Sequence, residues 1–156
     1  MDIKFEANNI SFNVRSSCII KDKEHKKIIL TNMRAIKSND AYLLPGGRLE
    51  LLENSKQAIE RELKEELGLE VSCSLVSIQE NIVKETGFHM LEFIYYTQID
   101  SFDKITVTDN EWDKFKIINI DEIENYDIRP KPIKQLIIME EYTSLTHNIN
   151  YDWGKE

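Results

Sequence analysis

Apolar side chains recur along this chain with two different periods, and each change of period marks an element. Residues 12–20 alternate loosely between apolar and polar, which is the pattern of a strand with one face buried. After the charged turn at 21–27 comes the run Lys27-Ile28-Ile29-Leu30-Thr31, which reads as a second strand placed to form a hairpin with the first. A short extended stretch over 42–44 stops at Pro45-Gly46-Gly47, where proline and paired glycines favour a loop. Residues 71–83 and Phe88–Ile99 predict two more strands joined by a turn at Glu85-Thr86-Gly87, and residues 116–120 predict another.

Residues 54–67 switch to a helical period. Ile59, Leu63 and Leu67 recur every four positions and so share one side of a helix. Asn54 or Ser55 can cap its first turn, and Gly68 can take the left-handed conformation that ends it. A second amphipathic helix is predicted over 133–145, beginning after Pro130 and Pro132. Strands interleaved with helices imply an α/β domain with a mixed sheet. The chain of 156 residues shows no repeat or linker and fits one domain over 1–156.

Charge narrows the function. The net charge of -8 disfavours long nucleic acids, whose binding rests on Lys and Arg neutralising phosphates. It leaves room for a small phosphorylated ligand that arrives with metal ions, because carboxylates attract those ions. Cys18 and Cys73 stand in apolar stretches with no histidine or second cysteine at a ligand spacing, so both read as free thiols in a reducing compartment. Residues 1–9 are too polar for a signal peptide, and no run reaches the ~18 apolar residues of a membrane span. A cytoplasmic protein with no membrane partner is the expectation.

The chemistry gathers on the first helix. Glu62, Glu65 and Glu66 have the i, i+3, i+4 spacing that puts three carboxylates on one face. Alone, such a face is most often solvated surface. As a set of hard oxygen donors it also suits magnesium, calcium or manganese. The preceding segment favours the second view. Gly46 and Gly47 permit close backbone approach to a phosphate, and Arg61 can grip Glu53 with both arms of its guanidinium.

Gly47, Glu53, Arg61, Glu62, Leu63, Glu65, Glu66, Gly68 and Leu69 together resemble the Nudix box: Gly, five residues, Glu, seven residues, then Arg-Glu-aliphatic-x-Glu-Glu-x-Gly-aliphatic. Every specified position matches at the required spacing, although the box covers only residues 47–69. The resemblance implies an α/β/α sandwich with a central mixed β-sheet. It also implies a hydrolase of nucleoside diphosphates linked to another group, with Mg2+ (or Mn2+) as cofactor. Carried over by position, Glu62 and Glu66 are the main metal ligands, with Glu65 joining them or accepting a water. Arg61 holds the loop through Glu53, and the catalytic set is Glu65, Glu62, Arg61 and Glu53. Leu52 departs from the glycine that many members place there, which implies an altered loop shape with metal binding kept.

The family recruits its general base from different places: Glu65 or Glu62 inside the box can serve, and outside it Glu111, Glu80 and Glu92 are candidates for that role or for an extra metal ligand. Gly46, Gly47 and Arg34 are the substrate-binding candidates, with Arg15 as a further phosphate contact. His89 could reach a phosphate, and Tyr42, Phe12 and Phe88 could stack on a base, although aromatics on strands are usually core. Tyr151 and Trp153 in the tail could dock on the body or on a second subunit. A nucleoside triphosphate, including oxidised or non-standard ones, is the leading substrate. Nucleotide-sugar and dinucleoside polyphosphate hydrolases often carry a proline or tyrosine about sixteen residues after the box, and Lys84-Glu85-Thr86-Gly87 has neither. A nucleotide sensor without catalysis is the rival class, set back by the intact box. A monomer or homodimer is expected.

Overall fold

The longest strand organises everything else. In the computed structural model, which describes residues 1–33, 40–107 and 111–151, β2 (Ile10–Asp22) runs parallel to β7 (Phe88–Ile99) in unbroken register from Ser11↔Phe88 to Asp22↔Ile99. β1 (Lys4–Ala7) and β5 (Gly46–Arg48) lie antiparallel on β2, and β3 (Lys27–Asn32) continues from it. β4 (Ala41–Leu43) and β8 (Phe115–Asn119) both pair antiparallel with β3. Beyond β7 lies β6 (Ser74–Val83), antiparallel to it, and β10 (Thr146–Asn150), parallel to β6, forms that edge. β9 (Asp127–Ile128) closes the other edge beside β4. Parallel and antiparallel pairs mix, as expected.

Alternation along the strands makes the layers. Cys18, Ile20 and Ile29 project to one side of the sheet and pack with Ile59, Leu63 and Leu67 of helix α1 (Ser55–Leu67). Ile19, Ile28 and Leu30 project to the other side and pack with Ile133, Leu136 and Ile137 of helix α2 (Ile133–Ile138). The result is an α/β/α sandwich. Each fully buried Ile or Leu contributes on the order of 1.5–3 kcal/mol as an upper estimate, so both faces are firmly held.

Helix α1 is specified at both ends. Asn54 accepts from the Gln57 amide at 2.9 Å while Gln57 accepts from the Asn54 amide at 3.0 Å. Ser55 is therefore not the cap, and its hydroxyl meets the Tyr95 hydroxyl at 2.7 Å. Gly68 ends the helix at φ 64°. The turn between β6 and β7 also needs its glycine. Gly87 has φ 67°, and a β-carbon there would collide with the Asn9 carbonyl.

Several expectations are corrected. The second helix stops at Ile138, well short of 145. The Lys21 ammonium donates to the Met139 carbonyl at 2.7 Å and the Tyr142 hydroxyl to the Leu136 carbonyl at 2.7 Å, drawing the chain off the helix axis. The following residues enter the sheet as β10, whose polar side chains find partners on β6. Asn150 donates to Gln79 at 3.0 Å and to Asn81 at 2.9 Å. Tyr151 is exposed, and Trp153 lies outside the described residues. Gly46 and Gly47 sit in a strand where a loop was expected, because the β2 backbone captures them. Residues 71–73 precede β6 and are not part of it. Among the described residues, no helix is long and apolar enough to cross a membrane.

Candidate functional site

β2 carries β5, the glycine strand that faces the helix carboxylates. Ser16 and Ser17 pair with Gly47 and Gly46, and the Ser16 hydroxyl donates to the Ser55 carbonyl at 2.8 Å. That contact fastens the start of α1 to the strand and lays Glu62 against Gly47. A β-carbon at Gly47 would strike the Glu62 carboxylate. Gly47 is thus required here by contact, since any side chain would displace a candidate ligand.

Arg61 occupies the centre of a fan of acceptors. Its Nε donates to Glu53 Oε1 at 2.7 Å and its Nη2 to Glu53 Oε2 at 3.0 Å. Nη2 also donates to the Arg48 carbonyl at 3.3 Å, and Nη1 donates to Glu62 Oε1 at 3.0 Å and Glu65 Oε2 at 3.4 Å. Glu53 in turn accepts from the Glu50 amide at 2.9 Å. The Arg61 hydrogen bonds hold the Glu53 carboxyl below its ordinary value. The expected Arg61–Glu53 pair is present, and it ties the loop ahead of α1 to the helix.

Glu62 and Glu66 are a different kind of acid. Burial raises the Glu62 carboxyl above its ordinary value despite Arg61. Burial first, and the Glu62 charge second, push Glu66 up to about 7. Two half-buried carboxylates one helical turn apart carry more negative charge than their surroundings neutralise. That surplus is what a divalent cation with hard oxygen preference would neutralise, so the donor set fits magnesium or manganese. Glu65 is aimed at Arg61 with a side chain 60% exposed, and so stands apart from the pair. Among the described residues, no three acidic, histidine or cysteine side chains already converge as a metal cage. The two carboxylates would leave most coordination positions to water and substrate oxygens, which is usual for magnesium.

The outlying candidates separate. The Glu111 and Lys114 charges both reach Glu66, and Lys114 Nζ donates to Glu111 Oε1 at 2.9 Å. Glu80 pairs with His147 Nε2 on the edge strand β10, at 2.5 Å. Glu92 is 4% exposed on β7, beside Arg15 in the sheet, with Arg15 Nε at 3.4 Å. Arg34 lies outside the described residues. His89 packs edge-on against Phe12, with ring centroids 4.9 Å apart, and Tyr42 packs against Tyr126 at 5.5 Å. Lys114 was missed by sequence reasoning. Nothing local distinguishes it from other surface lysines.

The model of the NUDIX domain family matches residues 12–137. Among solved structures, the mutator MutT protein of Bacillus halodurans superposes with a TM-score of 0.67 at 19% identity, over 90% of this chain and 92% of that one. The MutT protein of Methanosarcina mazei gives 0.62 at 11% identity, over 85% and 94% of the two chains. A MutT NUDIX hydrolase from Burkholderia pseudomallei gives 0.61 at 21%, over 85% and 98%. These likenesses show a shared fold. No curated protein sequence gives a significant match.

Proposed function

This chain belongs to the Nudix family of hydrolases, and we propose that it cleaves a phosphoanhydride in nucleoside triphosphates, including oxidised or non-standard ones, with Mg2+ or Mn2+ as cofactor. The observation that carries this reading is the half-buried pair Glu62–Glu66 set against Gly47, with Glu66 raised to about 7. Such a pair is costly without a cation and useful with one.

A bound divalent cation supplies charge neutralisation on the phosphate oxygens and a more acidic water. The chain supplies the rest. Glu62 and Glu66 hold the cation on a rigid helix. Gly47 keeps the space in front of them free of side chain. Arg61 fixes Glu62 and the loop through Glu53. Glu65 takes the proton of the attacking water: among the described residues its side chain is held by Arg61, and it is mostly exposed. Glu111, whose charge already reaches Glu66, is the second candidate for that proton.

The partner in this reading is a small nucleotide. The protein acts as one domain, monomeric or paired, and its free thiols suit the cytoplasm. Phosphate and pyrophosphate release from a panel of nucleotides, with magnesium and with excess EDTA, tests it. Metal-dependent release from at least one nucleoside triphosphate is expected. Full activity in EDTA, or none on any nucleotide, overturns the proposal.

A further inference from the structure

Two successive carbonyls lead into the glycines of the site, and β2 holds both. The Cys18 amide donates to the Pro45 carbonyl at 2.9 Å, and Arg15 Nη2 donates to the Leu44 carbonyl at 2.9 Å. Arg15 is itself aimed. Its Nε donates to Ser17 Oγ at 3.0 Å and lies 3.4 Å from Glu92 Oε2. Glu92 is its direct neighbour in the parallel β2–β7 register and is almost fully buried. Burial pushes the Glu92 carboxyl above its ordinary value, and the Arg15 charge with the Ser17 hydroxyl offsets part of that cost. The Arg15 backbone pairs with Arg48, one step from the Gly47 that touches Glu62. Its charge also favours the ionised forms of Glu62 and Glu66.

We propose that Glu92, Arg15 and the Leu44 carbonyl form a second clamp, facing the Arg61–Glu53 clamp across the glycine strand, and that Arg15 and Glu92 are positioning residues for the cation site. Glu92 then acts through Arg15 and is neither the general base nor a metal ligand. The fork geometry is essential to this role. A guanidinium can serve Ser17, Glu92 and Leu44 at once from fixed positions, whereas a lysine ammonium delivers the same charge from a single point. This inference rests on the reading of Glu62 and Glu66 as cation ligands.

The test is Mn2+ binding to the full chain, read from the free-ion EPR signal, together with melting temperature and the Mn2+ dependence of turnover. Arg15→Lys and Glu92→Gln are each expected to weaken Mn2+ binding by about tenfold, as loss of an outer partner of a metal site does. The double variant should be no weaker than the worse single, because the two residues act as a unit. Turnover at saturating Mn2+ should fall less than affinity does. Unchanged Mn2+ binding in both single variants would reduce the pair to an ion pair that only supports the sheet. Multiplying effects in the double variant, or loss of turnover in Glu92→Gln at saturating Mn2+, would also overturn the clamp. Should the singles not fold, Arg15→Met with Glu92→Leu removes the pair together, and wild-type Mn2+ affinity in that folded protein refutes the proposal. Glu66→Gln is the control: if it binds Mn2+ as the wild type does, the reading of the helix fails, and the clamp with it. If it does not while Arg15→Lys binds normally, the clamp alone fails.

Discussion

Arg61 and Glu53 meet edge to edge, with Nε 2.7 Å from Oε1 and Nη2 3.0 Å from Oε2. Two parallel charge-assisted bonds fix orientation as well as distance, and Glu53 is mostly shielded from water. Arg61→Ala leaves Glu53 without its partner and releases Glu62. It should lower metal affinity or turnover by about 10- to 100-fold. Arg61→Lys keeps charge without the fork and should recover only part of that. The pair also shapes acid stability. Because the Glu53 carboxyl lies below its ordinary value when folded, its contribution is full above about pH 4.3. That contribution is lost as pH falls through the lower folded value. Denaturation curves between about pH 5 and 2 should show a shallower acid loss in Glu53→Gln. Wild-type turnover in Arg61→Ala, or identical acid limbs, would refute this account.

Leu52 has φ 67° and is fully exposed. That conformation costs a branched residue about 1 kcal/mol, and no burial of the side chain repays it. Leu52→Gly should remove the strain and lose part of the gain to unfolded-chain entropy, for a net of ~0.5 kcal/mol and a rise in melting temperature of about 1–2 °C. Leu52→Ala should show no such gain. If both variants melt together below the wild type, the leucine is making a contact in solution that offsets the strain.

Local signals carried much of this fold, and long-range ones did not. Asn54, Gln57 and Gly68 define α1 from within a few residues of its ends, so the helix and its carboxylate face were readable. The strands β2, β3, β6 and β7 were readable because their alternation serves two buried layers. β10 has no such signal: Thr146, Asn148 and Asn150 pair with Ser77, Gln79 and Asn81, and only the register reveals polar partners. β5 was hidden because glycines do not announce a strand, and it exists through capture by Ser16 and Ser17. In the site, Arg61–Glu53 followed from spacing. The Arg15–Glu92 pair joins residues far apart in sequence, and no spacing rule anticipates it.

Cys18 and Cys73 are another long-range pair, with sulfurs 4.0 Å apart beneath α1. Burial, then Cys73, pushes the Cys18 thiol above its ordinary value, which suppresses the reactive thiolate. Native protein should therefore react slowly with a thiol-specific disulfide reagent, and both thiols should titrate at once after denaturation. Rapid native reaction of either would show that the layer under α1 opens readily.

Glu66 tests the catalytic reading and the electrostatics together. Its carboxyl lies at about 7 in the metal-free fold and about 4.3 in an unfolded chain. Between those values the folded protein holds the extra proton, so ionising Glu66 costs stability that is absent below the window and fully felt above pH 7. In EDTA, the wild type should lose melting temperature across this window relative to Glu66→Gln, whose side chain stays neutral. With magnesium at neutral pH the order should reverse. A ligand at a hundred times its dissociation constant adds about 2.7 kcal/mol, and the variant lacks one of the oxygens that hold it. Turnover should drop by about two to four orders of magnitude, because stabilisation of the developing phosphate charge is lost while the fold remains. A Glu66→Gln protein that melts like the wild type under both conditions would remove the charge conflict from the site. One that also hydrolyses nucleotides within threefold of the wild type would remove Glu66 from catalysis.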